Sequence, residues 1–268
     1  LQYHRPSKKF NYALQEMSKA DFVKAVTEGL SAPPKYFFMD AAINKKGYDS
    51  IDEVMKRNAV ALDVKAFEEM LNNEMVIVLD TRTPDEFEKG FIPGSINIGL
   101  NGQYAPWVGA ILNPEVPLLL VTENGSEDEA VLRLARVGYE NVKGYLKGGI
   151  AAWKNAGKEA DTVSSIEAAD FSEIAAKGES QVLDVRKPGE WASGVVEGAE
   201  LIDLTVLNDH LNKLNKENSY IIYCGGGYRS MIAISLLKKN GFGQKLINVY
   251  DGMGKLREAG VKTVQLAE

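Results

Sequence analysis

The segment VLDTR at positions 78–82 recurs 104 residues later as VLDVR at positions 182–186, and this repeat decides the fold. Three further matches follow in the same order at offsets of 102 to 104: Gly94 with Gly198, LLLVT (118–122) with YIIYC (220–224), and Gly157 with Gly260. Ordered matches at a nearly constant offset indicate a tandem duplication of one domain of about a hundred residues.

Each copy alternates helical patterns with short apolar runs. The runs at 76–79 and 118–121 in the first copy, and at 182–185 and 220–223 in the second, are typical of strands buried on both faces. A helix over Met231–Lys239 and a strand over Leu246–Val249 are predicted next. The alternation predicts an α/β fold in which each copy has a mostly parallel sheet flanked by helices.

The predicted domains are a helical extension at 1–60, a first copy at 61–160 and a second copy at 161–268. In the extension, Ser18 and Asp21 form a capping box that predicts the start of a helix, and a second short helix is predicted near Asp40–Lys46. These short helices bury too little to fold as a domain, so we expect them to pack on something else.

Composition excludes several classes of function. The chain has 268 residues and a net charge of −6, which disfavours nucleic-acid binding, and it has no run long and apolar enough to span a membrane. One cysteine and two histidines leave no basis for a disulfide framework or a Cys- or His-rich metal site. We therefore expect a cytoplasmic protein with no metal, no cofactor and no membrane or nucleic-acid partner.

The loop YCGGGYRS at positions 223–230 carries the predicted chemistry, because it follows a buried strand and opens a helix. Three glycines allow the backbone to curl and direct several N–H groups at one point, which suits an anion. The start of the helix and the charge of Arg229 favour the thiolate of Cys224 further. A lone cysteine is more often a small buried hydrophobic residue, but a packing cysteine needs neither the glycines nor the arginine.

The predicted site follows from this loop. Cys224 and Arg229 are the candidate catalytic residues, and the candidate substrate-binding residues are Gly225, Gly226, Gly227, Tyr228 and Ser230. Asp184 and Arg186, at the end of another predicted strand, are expected to brace the loops around the site. Arg229 is the one basic residue of the loop.

These motifs together resemble a rhodanese domain, the sulfurtransferase module. The second copy carries Asp184-Val-Arg186, Glu190-Trp191, the Cys224-x-x-Gly227-x-Arg229 loop and Tyr250-Asp-Gly252, and the first copy carries Asp80-Thr-Arg82, Glu86-Phe87 and Ile92-Pro-Gly-Ser95. The resemblance covers about residues 61–268. It implies a parallel-sheet α/β fold and a persulfide intermediate on Cys224.

The first copy is predicted to be catalytically silent. Thr122 stands where the second copy has Cys224, and a threonine cannot carry a persulfide. Glu123, Glu127, Asp128 and Glu129 surround that position, and their charge opposes a thiolate. We expect this copy to serve as a scaffold or an interface.

Residues 11–58 are similar to the segment that follows the metal-binding fold in metallo-β-lactamase/rhodanese fusion proteins, notably over Phe22–Gly29, Pro33-Pro34 and Asn44–Tyr48. This resemblance implies that the chain is the C-terminal part of such a fusion. It also implies an upstream metal-binding domain, similar to persulfide dioxygenases, as a possible partner.

Three functions remain open. The first is a sulfurtransferase that moves sulfane sulfur from a small-molecule persulfide or thiosulfate donor to a thiol acceptor through Cys224. The single basic residue of the loop, Arg229, argues against the dianion thiosulfate as the preferred donor. The second is a non-enzymatic sulfur-relay or binding module that serves a fused or docked partner. The third, phosphatase or arsenate reductase chemistry, is disfavoured because a phosphatase loop has five residues between its cysteine and arginine, whereas four separate Cys224 from Arg229.

Overall fold

The computed structural model describes residues 16–27, 50–73, 75–243 and 245–266. Two helices precede the first copy, α1 (Lys19–Thr27) and α2 (Ile51–Asn58). The first copy then consists of β1 (Ala61–Leu62), α3 (Val64–Asn73), β2 (Ile77–Asp80), α4 (Pro84–Glu88), β3 (Ile96–Asn97), α5 (Tyr104–Ile111), β4 (Leu118–Val121), α6 (Glu127–Ala135), β5 (Val142–Leu146) and α7 (Gly149–Asn155).

The second copy follows the same plan with a few additions. It consists of β6 (Ser164–Ile166), α8 (Phe171–Ala176), β7 (Ser180–Asp184), α9 (Pro188–Trp191), β8 (Val195–Val196), β9 (Glu200–Leu201), a 3-10 helix (Leu204–Lys213), β10 (Ser219–Tyr223), α10 (Tyr228–Lys239), β11 (Leu246–Val249), α11 (Gly252–Glu258) and β12 (Thr263–Val264). The last strand pairs with β8 in a small antiparallel ribbon.

Both copies contain a five-stranded parallel sheet, and the strand order is equivalent in the two. The orders are β1-β5-β4-β2-β3 in the first copy and β6-β11-β10-β7-β9 in the second. In each sheet the strand that carries the repeated VLD segment is second from one edge, next to the central strand. The predicted α/β class with parallel sheets and the tandem duplication are therefore confirmed.

The predicted boundaries differ from the observed ones in one instructive place. Helix α10 begins at Tyr228, three residues before the predicted start at Met231. Gly227 precedes it with a φ of 82°, a left-handed conformation that glycine adopts without strain. The glycine-rich loop therefore leads directly into the helix, and Tyr228, Arg229 and Ser230 belong to its first turn.

The repeated Asp-x-Arg segment forms the same buried ion pair in both copies. Arg82 Nη2 lies 2.5 Å from Asp80 Oδ2, and its guanidinium also donates to the carbonyl oxygens of Glu86 and Gly90. In the second copy Arg186 makes equivalent bonds to Asp184, to the carbonyl of Glu190 and to that of Gly194. The pair thus ties the loop after each of these strands to the end of the sheet.

The two copies share one continuous apolar core. Leu79, Ile96 and Ile98 of the first copy belong to the same buried cluster as Met231 and Ile234 of the second. Helix α10 lies directly against β3. The backbone N–H of Asn97 donates to Ser235 Oγ at 3.1 Å across this contact, and Lys238 pairs with Asp161 at 2.8 Å nearby.

The helix predicted after Ser18 is observed as α1, with the Asp21 N–H donating to Ser18 Oγ at 3.1 Å. The helix predicted near Asp40–Lys46 lies outside the described residues. Helix α2 packs on α6 and β5, buries Val54 and donates from Asn58 Nδ2 to the carbonyl of Glu140 at 2.7 Å. Over the ranges that the structure describes, no helix is long and apolar enough to cross a membrane.

Candidate active site

Cys224 lies directly after the central strand β10, at the carboxyl end of the parallel sheet. Its side chain is buried, with 1% relative exposure, and its Sγ lies 3.6 Å from the Oγ of Ser230 in the first turn of α10. The positive end of a helix of twelve residues is therefore adjacent to the sulfur. The sulfur and the first turn of α10 therefore lie side by side at the floor of the same loop.

Gly252 packs directly against the backbone of the cysteine loop, and this close approach is possible because glycine has no side chain. A Cβ atom at Gly252 would lie 2.3 Å from the carbonyl oxygen of Cys224 and 2.8 Å from backbone atoms of Gly225 and Gly226. Its φ of 58° is also left-handed. The N–H of Met253 donates to the Cys224 carbonyl at 2.8 Å, so α11 fixes the backbone that carries Cys224.

Arg229 forms a bidentate ion pair with Glu190. The sequence alone did not identify this partner. Arg229 Nη1 donates to Glu190 Oε2 at 2.5 Å, and Nη2 donates to Oε1 at 2.8 Å. The hydrogen bond from Arg229 lowers the pKa of Glu190 to about 2, and the same bond raises the pKa of Arg229. Much of the Arg229 charge is thus balanced by a carboxylate.

Asp184 and Arg186 do not line the pocket, but they hold the segment that does. Arg186 Nη1 reaches the carbonyl of Glu190 at 3.4 Å, and Arg186 Nη2 reaches that of Gly194 at 2.9 Å. Glu190 in turn binds Arg229. The segment from Glu190 to Gly194 therefore connects the buried Asp184–Arg186 ion pair with the Glu190–Arg229 ion pair of the pocket. The bracing role expected for the two residues stays a prediction.

Both copies contribute to the pocket in front of Cys224. The pocket has a volume of about 540 Å³. The second copy supplies Lys187, Glu190, Cys224, Gly226, Tyr228 and Arg229, and the first copy supplies Asn101, Gly102, Gln103 and Trp107. Of the predicted binding residues, Gly225, Gly227 and Ser230 are not among these lining residues.

Tyr228 joins the two halves of the pocket. Its hydroxyl donates to the carbonyl of Gly99 at 2.7 Å, and its ring packs so closely on Gly102 that a Cβ there would lie 2.4 Å from a ring carbon. Burial raises the pKa of Tyr228, so the hydroxyl stays protonated as the donor. The residue both lines the pocket and anchors it to the first copy.

Lys187 supplies a second positive charge that the sequence analysis did not count. Its ammonium group lies 5.9 Å from the centre of the Trp107 ring, across the boundary between the copies. The expectation against thiosulfate rested on a single basic residue in the cysteine loop. Lys187 comes from a different loop and lines the same pocket, so the assembled pocket holds two basic residues, of which Arg229 is paired with Glu190.

The equivalent loop of the first copy is arranged differently. Thr122 is buried at the end of β4, at the position that corresponds to Cys224. Glu127, which corresponds to Arg229, accepts a hydrogen bond from the N–H of Gly125 at 2.7 Å. The carboxylate therefore occupies an amide group of the loop that would otherwise be free for an anion.

Sequence reasoning missed Glu190, Lys187 and the contribution of residues 101–107. Glu190 was noted only as part of a motif, and nothing in the chain order shows that it meets Arg229, 39 positions later.

In the part of the chain that the structure describes, no group of three or more His, Cys, Asp or Glu residues could hold a metal ion.

Comparison with known proteins gives a consistent family. The profile of the Rhodanese-like domain matches residues 63–156 and 167–259, which together exceed half of the chain. The putative sulfurtransferase YtwF of Bacillus subtilis is 34% identical over 80 residues, which cover 30% of this chain and 76% of that protein. The putative sulfur carrier protein YrkF of the same organism is 32% identical over 101 residues, which cover 37% of this chain and 54% of YrkF.

Among solved structures, a rhodanese-like domain protein from Staphylococcus aureus is 30% identical, with a TM-score of 0.36. The match covers 39% of this chain and 100% of that one. Matches to other curated relatives cover as little as 16% of their length.

Proposed function

Because the chain belongs to the rhodanese-like family, with two tandem copies of its domain, we propose that it is a sulfurtransferase whose second copy acts through a persulfide on Cys224. Among its relatives, YtwF is named a putative sulfurtransferase and YrkF a putative sulfur carrier protein. The observation that carries the proposal is the position of the sole cysteine: it ends the central strand, contacts the first turn of α10 and faces a pocket with two cations.

The proposed reaction has two displacements. The Cys224 thiolate attacks the outer sulfur of a donor, a bond forms between the two sulfurs, and the donor leaves as a thiolate, or as sulfite when the donor is thiosulfate. An acceptor thiolate then attacks the outer sulfur of the Cys224 persulfide, and the cysteine leaves as a thiolate. Both steps exchange one sulfur–sulfur bond for another, so no external oxidant or reductant is needed.

The roles of the surrounding residues follow from their charges. Arg229 and the start of α10 stabilise the negative charge that passes between donor and Cys224. Ser230 Oγ lies 3.6 Å from the sulfur, and in this proposal the backbone N–H groups of Gly225, Gly226 and Gly227 bind the anionic part of the donor. Lys187 and Tyr228 bind the remainder of the substrate at the pocket wall.

The first copy, proposed as residues 61–160, acts in this scheme as a scaffold for the second, proposed as residues 161–268. Support comes from the shared core and from the four residues between Asn101 and Trp107 that line the pocket. The proposal also extends to residues 1–60 as a helical extension that follows a metal-binding domain of the metallo-β-lactamase type. That part rests on the resemblance of residues 11–58.

Replacement of the nucleophile tests the central assignment. We expect Cys224→Ser to reduce sulfur transfer from thiosulfate and from glutathione persulfide at least about a thousandfold, because an alcohol cannot form the persulfide. Mass spectrometry of the wild-type protein after donor treatment should show one added sulfur atom, absent from the variant. Thr122→Ser, at the equivalent position of the first copy, is the matched control and should retain activity. Wild-type turnover in Cys224→Ser would refute the proposal.

A further inference from the structure

Cys224 is the first member of a chain of polar side chains that ends on a carboxylate of the other copy. Its Sγ lies 3.6 Å from Ser230 Oγ, and the Ser230 hydroxyl donates to Asn248 Oδ1 at 2.7 Å. Asn248 Nδ2 donates to Ser165 Oγ at 3.2 Å. The Ser165 hydroxyl donates to the carboxylate of Glu88, the last residue of α4 in the first copy. The polar chain thus crosses the boundary between the copies.

Glu88 determines the direction of the hydrogen bonds in this chain, because a carboxylate can only accept them. Tyr250 also donates to Glu88, and burial, with this hydrogen bond as the second cause, raises the pKa of Tyr250 to about 12, so the tyrosine keeps its proton. The Ser165 oxygen is then left to accept from Asn248 Nδ2, which orients the amide oxygen towards Ser230.

The consequence for the sulfur follows from the single hydrogen of the Ser230 hydroxyl. Asn248 Oδ1 at 2.7 Å takes that hydrogen, and the carbonyl of Gly227 at 2.9 Å is a second acceptor that competes for it. The side of the Ser230 oxygen that faces Cys224 therefore carries a lone pair. It can accept a hydrogen bond from the thiol but cannot donate one to the sulfur.

The first copy forms the same sheet without this chain. By strand register and loop position, Ser230, Asn248 and Ser165 correspond to Asp128, Tyr145 and Ala61, and Glu88 corresponds to Ala192 of the second copy. Because the fold forms without any of these groups in the first copy, the fold itself does not require them. The chain of polar side chains is therefore present in the copy that has the cysteine and absent from the copy that lacks it.

We propose that Glu88 is a positioning residue for Cys224, which sets the direction of the chain so that Ser230 accepts from the resting thiol. The proposal rests on the proposed function in treating Cys224 as the nucleophile. The proposed function assigns the stabilisation of an anionic sulfur to the loop amides and to Arg229, which is paired with Glu190; Lys187 also lines the pocket. The silent copy thus influences the nucleophile through hydrogen bonds as well as through packing.

Glu88→Gln tests this role because a glutamine can reverse the chain. Its amide oxygen accepts from Tyr250 while its NH₂ donates to Ser165, which then donates to a reoriented Asn248. The hydrogen of Ser230 is then shared between the Gly227 carbonyl and the sulfur instead of being held by Asn248, so the thiolate gains a donor. We expect the pH at which iodoacetamide alkylation reaches half its maximal rate to fall by about one unit. The kcat of sulfur transfer should change while KM does not.

Alkylation reports on Cys224 alone, because the chain has a single cysteine. Glu86→Gln is the matched control: it removes the same charge from the same helix, at an exposed residue that pairs with Lys89, and it should leave the profile unchanged. Ser165→Ala breaks the chain of polar side chains and releases Asn248, so it should also shift the pH profile of alkylation to lower pH. In the Ser165→Ala background, Glu88→Gln should add no further shift.

Two results would overturn the proposal: a Glu88→Gln profile that superimposes on the wild type, or a shift that persists undiminished in the Ser165→Ala background. The second result would assign the effect to the lost charge of Glu88 acting through space. Failure of the proposed function would be seen separately, as sulfur transfer that survives Cys224→Ser whatever the alkylation profiles show.

Discussion

The ion pair between Glu190 and Arg229 should make the protein sensitive to acid, and Glu190→Gln should remove that sensitivity. Arg229 lowers the pKa of Glu190 from an ordinary 4.5 to about 2. A carboxyl whose pKa is lowered in the folded state stabilises the fold above its ordinary pKa, and that stability is lost as the pH falls through the folded value. The contribution should therefore be complete above pH 5 and disappear towards pH 2.

The size of the effect follows from the shift and from the exposure of the pair. A shift of about 2.5 units corresponds to about 3.4 kcal/mol at 1.36 kcal/mol per unit. The Glu190 side chain is 37% exposed, so solvent screening reduces this to about 1 to 2 kcal/mol. We expect Glu190→Gln to lower the free energy of unfolding at pH 7 by that amount.

Urea denaturation between pH 7 and pH 2.5 would measure the effect. The wild type should lose about 1 to 2 kcal/mol more than Glu190→Gln over the interval from pH 5 to pH 2.5, so the two curves should converge in acid. Glu197→Gln, which removes a carboxylate from an exposed pair with Lys262, is the control and should run parallel to the wild type. Parallel curves for Glu190→Gln would refute the reasoning.

The same substitution has a functional consequence because it uncovers a positive charge in the pocket. With Glu190 neutral, Arg229 is free to bind an anionic donor, and we expect the KM for thiosulfate to fall about three- to tenfold. An unchanged or increased KM would indicate that Arg229 does not face the donor.

Two further substitutions test how the cysteine loop is held. Tyr228→Phe removes the hydrogen bond to the Gly99 carbonyl between the copies. We expect urea denaturation to show a free energy of unfolding lower by about 1 kcal/mol, and steady-state kinetics to show a higher KM. Equal values for variant and wild type would contradict this. Gly252→Ala places a Cβ against the Cys224 carbonyl at a left-handed φ, so we expect it to lower the free energy of unfolding by about 3 kcal/mol and to remove most of the activity. Gly226→Ala is the control: nothing lies within 4 Å of its Cβ, so its free energy of unfolding should match that of the wild type.

The sequence predicted the parts of the molecule that depend on local patterns. The VLD repeat and the apolar runs predicted both sheets, because a strand buried on both faces has to be apolar along its length. The glycines and Arg229 marked the loop of Cys224, since a backbone that curls around an anion needs glycine. The small error at the start of α10 arose because Gly227 acts as the residue before a helix, which the apolar pattern alone does not reveal.

The rest of the site depends on contacts between distant parts of the chain. Glu88 and Trp107 belong to the copy without the cysteine, and packing between the copies, such as that of β3 on α10, brings them to the loop. Glu190 lies in a segment that both copies share, yet its counterpart Glu86 pairs with Lys89 because Glu127 replaces the arginine. A residue type therefore does not fix its partner.

The continuous core has a consequence for how the protein is made. The first copy leaves the ribosome before the second, and its apolar face around Ile96 and Ile98 has no cover until α10, more than a hundred residues later, has been synthesised. During that interval the nascent chain exposes a surface that invites association with other chains. We therefore expect the first copy produced alone to associate more readily than the full chain.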